Sequence, residues 1–204
     1  MDKVDLRKEY RELYAPPREF VRVVVPPLNY LQIDGEGDPN SAPAYAEAVE
    51  ALFSLAYAVK FASKKDLGRD YVVGPLEGLW TAEDPAAFVR RDKDAWSWTL
   101  MVLQPGWLDD EFVADVAEAT RRKKGLPALD RVRFAAYDEG DCVQVLHVGS
   151  YDDEAPTLAR LHDEYLPEHG LTFNGPHHEV YLSDVRRTAP EKLRTVLRQP
   201  VRAL

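Results

Sequence analysis

The chain of 204 residues is predicted to adopt an α+β fold: a tandem pair of strand–helix–strand–strand modules with pseudo-two-fold symmetry around a central ligand pocket. One observation is the alternation of short strand patterns with amphipathic helical stretches. A second is a repeat, because residues 28–35 and 142–149 both read as strands that end in glycine before an acidic loop and an amphipathic helix. A third is an apolar content of 45%, which is enough for a sizeable core.

The first module begins with strands predicted at 20–25 and 28–34, which Pro26-Pro27 separates. A long helix follows, since apolar side chains recur at helical spacing at Tyr45, Val49, Leu52, Ala56 and Val59. A strand beginning at 71–74 is expected to resume at 79–82. A polar connection at 83–94 then leads to a strand at 96–103.

A connecting helix is predicted at 109–124, because its acidic start and basic end complement the helix dipole. The second module has predicted strands at 131–136, 142–148 and 177–183, with a helix between the last two. Thr188 and Glu191 form a capping-box pattern that predicts a short helix near the C-terminus. We therefore expect a single domain over 1–204, with module one at about 18–105, the connecting helix at about 108–125 and module two at about 130–204.

Charge and composition indicate which classes of binding partner to expect. The formal net charge is −9, and the densest basic cluster, at 121–124, is interpreted as a solvated helix end, so no nucleic-acid partner is expected. The sequence shows neither a membrane-spanning apolar run nor an apolar N-terminal signal, which predicts a cytoplasmic protein with no membrane partner. The single cysteine, Cys142, lies in an apolar strand pattern and is expected to be a core thiol.

No cofactor or metal is predicted. The adjacent His177 and His178 would point to opposite faces of a strand and so could not easily share one ion. The sequence lacks the His-Glu-x-x-His and paired Cys-x-x-Cys patterns of zinc sites.

Glu179 is the main catalytic candidate, with Tyr181 beside it. Strand alternation places Glu179 and Tyr181 on one face and Val180 and Leu182 on the other, and the apolar face is expected to meet the covering helices. A carboxylate among aromatic rings can bind a cation, or act as a general base whose pKa burial raises. The alternative is an exposed polar face of an edge strand.

Aromatic residues are the ligand-binding candidates, because ring faces stack on flat ligands and attract cations. Trp96 and Trp98 lie two residues apart on one strand and so share a face. Each candidate could equally be a core residue, whereas Trp107 is interpreted as packing. The proposed ligand-binding set is Tyr57, Tyr71, Trp80, Trp96, Trp98, Phe173, Glu179 and Tyr181.

Six stretches, in order along the chain, carry a family resemblance: 32–40 (QIDGEGDPN), 75–80 (PLEGLW), 96–99 (WSWT), 139–144 (EGDCVQ), 147–154 (HVGSYDDE) and 177–184 (HHEVYLSD). With these stretches the chain resembles the GyrI-like small-molecule-binding family in its free-standing form. That family also includes effector domains of multidrug-responsive regulators. The regulators carry an N-terminal DNA-binding region, for which the roughly 17 residues before the first strand here leave no room.

The resemblance implies two modules around a pocket for lipophilic, aromatic or cationic small molecules, including xenobiotics. It also implies one catalytic possibility, since a related subfamily hydrolyses cyclopropane-bearing alkylating compounds in an aromatic cage. Two functions stay open on the sequence: a hydrolase in which Glu179 activates water and Tyr181 orients it, and a non-catalytic ligand sink. A protein-interaction module that inhibits gyrase by contact is a third.

Overall fold

A computed structural model describes residues 3–84 and 92–204 and confirms the predicted α+β class. Its chain divides into two compact units. Unit 1 comprises Met1–Glu9 and Leu28–Tyr137, and unit 2 comprises Tyr10–Pro27 and Asp138–Leu204.

The secondary structure follows in chain order. The strands are β1 Val21–Val25, β2 Leu28–Glu36, β3 Leu76–Ala82, β4 Trp96–Leu103, β5 Arg133–Tyr137, β6 Gly140–Val148, β7 Leu171–Phe173, β8 His177–Tyr181 and β9 Arg194–Ala203. The α-helices are α1 Leu6–Glu9, α2 Arg11–Tyr14, α3 Pro43–Asp66, α4 Asp110–Lys124, α5 Ala155–Ala159 and α6 Leu166–Glu168. Short 3₁₀ turns occupy Lys93–Ala95, Pro127–Arg131, Tyr151–Glu154 and Pro190–Lys192, and a π-helix occupies Arg160–Tyr165.

Unit 1 is an antiparallel sheet in the order β3-β4-β2-β5 with α3 packed on it. Helix α3 starts with Pro43 in its first turn, where the missing N–H costs nothing, and buries Leu52, Leu55 and Val59. The predicted strand at 96–103 and helix at 109–124 are confirmed. The predicted strand at 71–74 is wrong, because only Tyr71 pairs there, in an isolated bridge with Val4. Most of the connection expected at 83–94 lies outside the described residues.

Unit 2 is an antiparallel sheet in the order β8-β9-β6-β1, and β7 pairs with the other end of β9. The short C-terminal helix predicted from Thr188 and Glu191 is wrong. The capping pair gives only the single turn Pro190–Lys192, after which seven consecutive buried residues run as the central strand β9. Burial on both faces removes the period-two alternation by which a strand is detected.

Strand β1 also departs from the expectation, because it belongs to unit 2. It pairs with β6, from Val21 opposite Gln144 to Val25 opposite Gly140, although module one was expected to contain it. Within each unit, the order strand–helix–strand–strand is nevertheless present. In both units the last strand of that set (β4 or β9) lies beside the first (β2 or β6). A pseudo-two-fold axis between the units stays a prediction.

A buried ion network lies at the centre of unit 2, formed by Glu139, His178 and Arg198. Nδ1 of His178 donates to Oε1 of Glu139 at 2.9 Å, and Nη1 of Arg198 donates to Oε2 at 3.2 Å. Arg198 also donates to the Leu13 carbonyl at 2.7 Å and to the Gln144 side chain at 3.0 Å. Burial alone would raise the pKa of Glu139, but the two cationic neighbours outweigh it and hold that pKa at about 2.

Cys142 lies next to this network and is buried, as predicted for a core thiol. Burial raises the pKa of its sulfhydryl well above the ordinary value, so it stays protonated at neutral pH. Among the helices of the described residues, none combines the length and apolarity needed to cross a membrane.

The buried ion network gives a stability prediction. Glu139→Gln leaves Arg198 as a buried charge without its carboxylate, so we expect a loss of about 3–5 kcal/mol in the free energy of unfolding by urea titration at pH 7. Glu118→Gln is the matched control, because Glu118 is half-exposed and pairs only with surface arginines, and it should cost about 0.5 kcal/mol or less.

The same variant has a predictable pH dependence. The pKa of Glu139 is lower in the folded chain, so its stabilisation is complete above the ordinary value of 4.5 and is lost as pH falls through about 2. The deficit of Glu139→Gln should therefore shrink below pH 4.5. A deficit that is the same at pH 3 and pH 7 would contradict this account of the network.

Candidate functional site

Strand β8 places its side chains on two different faces. His178 and Val180 are fully buried on one face, whereas His177, Glu179 and Tyr181 lie half-buried on the other. The predicted shared face of Glu179 and Tyr181 is therefore observed. The hydroxyl of Tyr181 donates to Oε2 of Glu179 at 2.7 Å, which fixes the orientation of the carboxylate.

The helical segment of residues 151–168 covers this same face. Leu161 and Leu166 of the segment pack in one core cluster with Val143 and Val201. Val143 and Gln144 are consecutive on β6, so their side chains point to opposite faces of the sheet. Gln144 accepts a hydrogen bond from Arg198 in the buried ion network, so Val143 lies on the other face. The ion-network face, which Val180 shares, is met by the short helix α2, because the backbone carbonyls of Glu12 and Leu13 accept hydrogen bonds from Gln144 and Arg198 there. Helical residues therefore lie against both faces, and not only against the apolar face as expected.

Glu154 enters the site from that helical segment, and we call Glu154 and Glu179 the carboxyl pair. Glu154 is 5% exposed, and its Oε1 has no hydrogen-bond partner among the described residues. Burial, and next the negative charge of Glu179, raise the pKa of Glu154 to about 9. Both effects favour the protonated form of Glu154 at neutral pH.

Tyr151 completes the polar part of this face. Its ring meets that of Tyr181 edge-on, with centroids 5.6 Å apart. Tyr151 is 40% exposed, but partial burial of its side chain, followed by the charges of Glu154 and Glu179, raises its pKa, so its hydroxyl remains a proton donor. The face thus offers a protonated carboxyl, a second carboxyl group and two phenols.

This arrangement suits acid–base chemistry. Two neighbouring carboxyl groups whose environments hold one in the protonated form can act as a general acid and a general base. The alternative use of the same groups is recognition of an organic cation by the charge of Glu179 and the adjacent rings.

Three of the predicted ligand-binding aromatic residues lie together in unit 1. A fourth ring, that of Tyr45, joins them, although Tyr45 was not among the predicted ligand-binding residues. This aromatic cluster consists of Tyr45, Trp80, Trp96 and Trp98. Tyr45 lies parallel to Trp80 at 6.4 Å and edge-on to Trp98 at 5.3 Å, and Trp80 meets Trp96 edge-on at 5.7 Å. Trp80 and Trp98 are buried, whereas Tyr45 and Trp96 are half-buried.

The other predicted ligand-binding residues lie apart from one another. Tyr57 is 49% exposed on α3, stacked on the exposed Phe61. Tyr71 is fully buried, donates to Gln104 at 2.9 Å and packs edge-on against Trp107, which agrees with a packing role for Trp107. Phe173 is half-exposed at the end of β7 and contacts His162.

The sequence analysis missed Glu154, Tyr151, His162 and His177 as members of the site. A signal for Glu154 was present in the helix predicted between the strands at 142–148 and 177–183. Glu154 and Tyr151 lie about one and two helical turns before the apolar Leu158 and therefore share its helix face. Glu154 is the last of three consecutive acidic residues, and such a run is typical of a solvated helix start, so the sequence favoured an exposed position for it.

A groove of about 490 Å³ lies elsewhere in unit 2, between the arginines Arg18 and Arg160 and the ring of Phe20. None of the predicted site residues lines it, and its charges have both signs. The carboxyl pair, with its perturbed pKa and an unpartnered buried oxygen, is the stronger candidate. No group of three His, Cys, Asp or Glu side chains in the described parts of the chain is placed to hold a metal ion.

An α+β chain with a carboxyl pair in one unit and clustered aromatic rings in the other has the features of a small-molecule-binding protein. The family comparison agrees, since the model of the GyrI-like small molecule binding domain matches residues 19–202. The chain belongs to this family. A comparison with curated protein sequences gave no significant match.

Solved structures of similar proteins include two from Listeria innocua. An uncharacterized conserved protein is 39% identical with a TM-score of 0.91, and a hydrolase is 37% identical with a TM-score of 0.86; each alignment covers 98% of this chain and 100% of the other. The C-terminal domain of EcmrR is 11% identical with a TM-score of 0.58, over 91% of this chain and 98% of that one, which shows a shared fold alone.

The aromatic cluster depends on a glycine. Gly35 of β2 lies directly opposite Trp98 of β4, and a Cβ built on Gly35 would overlap the six-membered ring of Trp98. Gly35→Ala should displace that ring, lower the free energy of unfolding by about 1–3 kcal/mol and change the near-UV circular dichroism of the tryptophans. Gly106→Ala is the control, because a Cβ there meets open space. An unchanged tryptophan spectrum in Gly35→Ala would show that Trp98 is not held by this contact.

Proposed function

We propose that this protein binds planar, lipophilic organic molecules and adds water to those that carry a strained or otherwise electrophilic carbon. The single observation that carries the proposal is the carboxyl pair, in which Glu154 is buried with an unpartnered Oε1 and has its pKa raised by burial and by the charge of Glu179. A carboxyl group that favours its protonated form, beside a second carboxyl group, can supply the general acid and the general base for the addition of water across a polarised bond.

In the proposed mechanism Glu179 acts as the general base. Its Oε2 accepts from the Tyr181 hydroxyl, and its Oε1, which lies 3.4 Å from Nε2 of His177, accepts a proton from water. The water oxygen attacks the electrophilic carbon, and the bond from that carbon to its leaving atom breaks. The electron pair of that bond moves to the leaving atom or to a carbonyl conjugated with it.

Glu154 acts as the general acid. Its proton passes to the leaving atom or to the conjugated oxygen, so that Glu154 ends charged and Glu179 ends protonated. Glu154 then takes up a proton from solvent and Glu179 releases one to solvent. These two transfers restore the starting state. Charge and atoms balance with water as the only co-reactant.

The aromatic cluster of unit 1 is proposed as a second ligand-binding surface, considered by itself. Indole and phenol rings stack on flat molecules at low conformational cost and attract delocalised cations through their faces. Trp96 and Tyr45 are the members to test first, because they are only half-buried.

The similar protein from Listeria innocua that is described as a hydrolase supports the catalytic part of the proposal at 37% identity over nearly the whole chain. A second function uses the same groups without turnover. The charge of Glu179 beside the rings of Tyr151 and Tyr181 favours an organic cation, which would make the protein a ligand sink.

The first test measures turnover of a spirocyclopropyl dienone, a planar compound with a strained electrophilic carbon. Glu179→Gln keeps the shape and the Tyr181 contact but removes the base, so the rate of water addition should fall by about 10²–10⁴. Glu164→Gln, at an exposed position of the π-helix, is the control and should keep the wild-type rate.

Binding of a planar organic cation to the same variants separates the two functions. A ligand sink would show no turnover in the wild type and a weaker cation affinity in Glu179→Gln. If Glu179→Gln left both turnover and cation binding unchanged, both proposals would be wrong.

The second test concerns the stability cost of Glu154. Its pKa is higher in the folded chain, so the folded state is stabilised fully below the ordinary value of 4.5, and this stabilisation is lost as pH rises through about 9. Glu154→Gln, which cannot ionise, should therefore be more stable than the wild type at pH 8–9 by about 1–3 kcal/mol, and the difference should vanish near pH 5. A variant that is less stable than the wild type at every pH would contradict a protonated Glu154.

A further inference from the structure

Three buried imidazole nitrogens of unit 2 have no hydrogen-bond partner among the described residues: Nε2 of His162 and both Nδ1 and Nε2 of His177. Buried polar atoms are nearly always paired in folded proteins, and leaving one unpaired costs about 1–3 kcal/mol. Three such atoms on two side chains indicate that a group from outside the chain completes their hydrogen bonds.

Both histidines lie on the side of the unit 2 sheet that carries the carboxyl pair. The charge of His177 acts on His162 and lowers its pKa, and Nε2 of His177 lies 3.4 Å from Oε1 of Glu179. His177 shares its face of β8 with Glu179, while His162 reaches that face from the helical segment 151–168.

The position of His162 depends on an irregular helix. Arg160–Tyr165 is π-helical between α5 and α6, and π-helical turns, which are rare, occur frequently at functional sites. The ring of His162 is then held edge-on by Phe173, with centroids 4.9 Å apart. A costly helix geometry and an aromatic contact thus fix an imidazole whose Nε2 bonds to nothing in the described chain.

His162 is neutral over the physiological range, since burial, and next the charge of His177, lower its pKa to about 4. A neutral imidazole offers one N–H donor and one acceptor nitrogen. A hydroxyl or phenol group can accept from an imidazole N–H or donate to the bare ring nitrogen, and a carbonyl oxygen can accept from the N–H. No three-ligand metal group exists in the described residues that could use these nitrogens instead.

We propose that His162 and His177 form a hydrogen-bonding subsite for a hydroxyl, phenol or carbonyl oxygen of the ligand whose reacting carbon lies at Glu154 and Glu179. This inference rests on the proposed function and specifies its ligand: a planar molecule with a neutral oxygen substituent beside the electrophilic centre. In the proposed reaction such an oxygen is also where the electron pair of the broken bond can be placed.

The test compares two probes of nearly equal shape, 2-naphthol and 2-methylnaphthalene, by isothermal titration calorimetry. The wild type should bind 2-naphthol more tightly, by the 2- to 10-fold that about one net hydrogen bond provides. His162→Phe and His177→Phe keep a ring but remove the nitrogens, so each should abolish this preference and leave the affinity for 2-methylnaphthalene within about twofold. His169→Phe is the matched control, because His169 is exposed and stacks on Tyr165, and it should keep the wild-type preference.

A second measurement uses the wild-type protein, so that it does not depend on the folding of a variant. With ¹⁵N-labelled histidine, 2-naphthol should shift the ring nitrogen resonances of His162 and His177, whereas 2-methylnaphthalene should leave them nearly unchanged.

The outcomes separate the subsite from the proposed function. Equal preference in the wild type and both Phe variants, with unshifted imidazole resonances, would overturn the subsite and show that ordered water satisfies these nitrogens. The test of Glu179→Gln would be unaffected by that result. If neither probe bound the wild type, both the subsite and the binding of planar lipophilic molecules would be wrong.

Discussion

The fold of unit 2 depends on one buried cation. Arg198 lies at the middle of the central strand β9 and is 1% exposed, so its guanidinium must be paired inside the protein. Its partners come from three places: Glu139 before β6, Gln144 on β6, and the Leu13 carbonyl of the N-terminal segment. Arg198 therefore sets the register of the strands around it, since a one-residue shift would turn it to the opposite face.

That register also places the candidate site. His178 lies opposite Arg198 in the β8–β9 ladder and donates to Glu139, so the next residue, Glu179, must point to the other face. The two faces differ in how their polar groups are satisfied. On the ion-network face His178, Glu139 and Arg198 are all paired, whereas on the opposite face His177 and Glu154 keep unpaired buried atoms. Unpaired buried polar atoms cost stability, and such a cost is common where a protein has a functional site.

Much of this fold could be predicted from local sequence patterns. The strands 96–103 and 177–181, the helix 110–124 and the shared face of Glu179 and Tyr181 all follow from periodicity and capping residues. What periodicity could not show is pairing between distant segments. Strand β1 joins β6 across more than a hundred residues, and β9 is buried on both faces, so neither has a local signal of its partner. Charge patterns do not specify which acidic residue of 152–154 points inward, so they could not predict the position of Glu154. They also do not specify the π-helical turn that positions His162.

The central claim is that Glu154 holds a proton at neutral pH beside Glu179. Carbon-detected NMR of protein labelled at the glutamate carboxyl carbons, with Glu154→Gln used for assignment, measures this directly. The account predicts one carboxyl resonance that titrates near pH 9 and disappears in Glu154→Gln. A Glu154 resonance that titrates near the ordinary value of 4.5 would contradict the claim and remove the acid from the proposed mechanism.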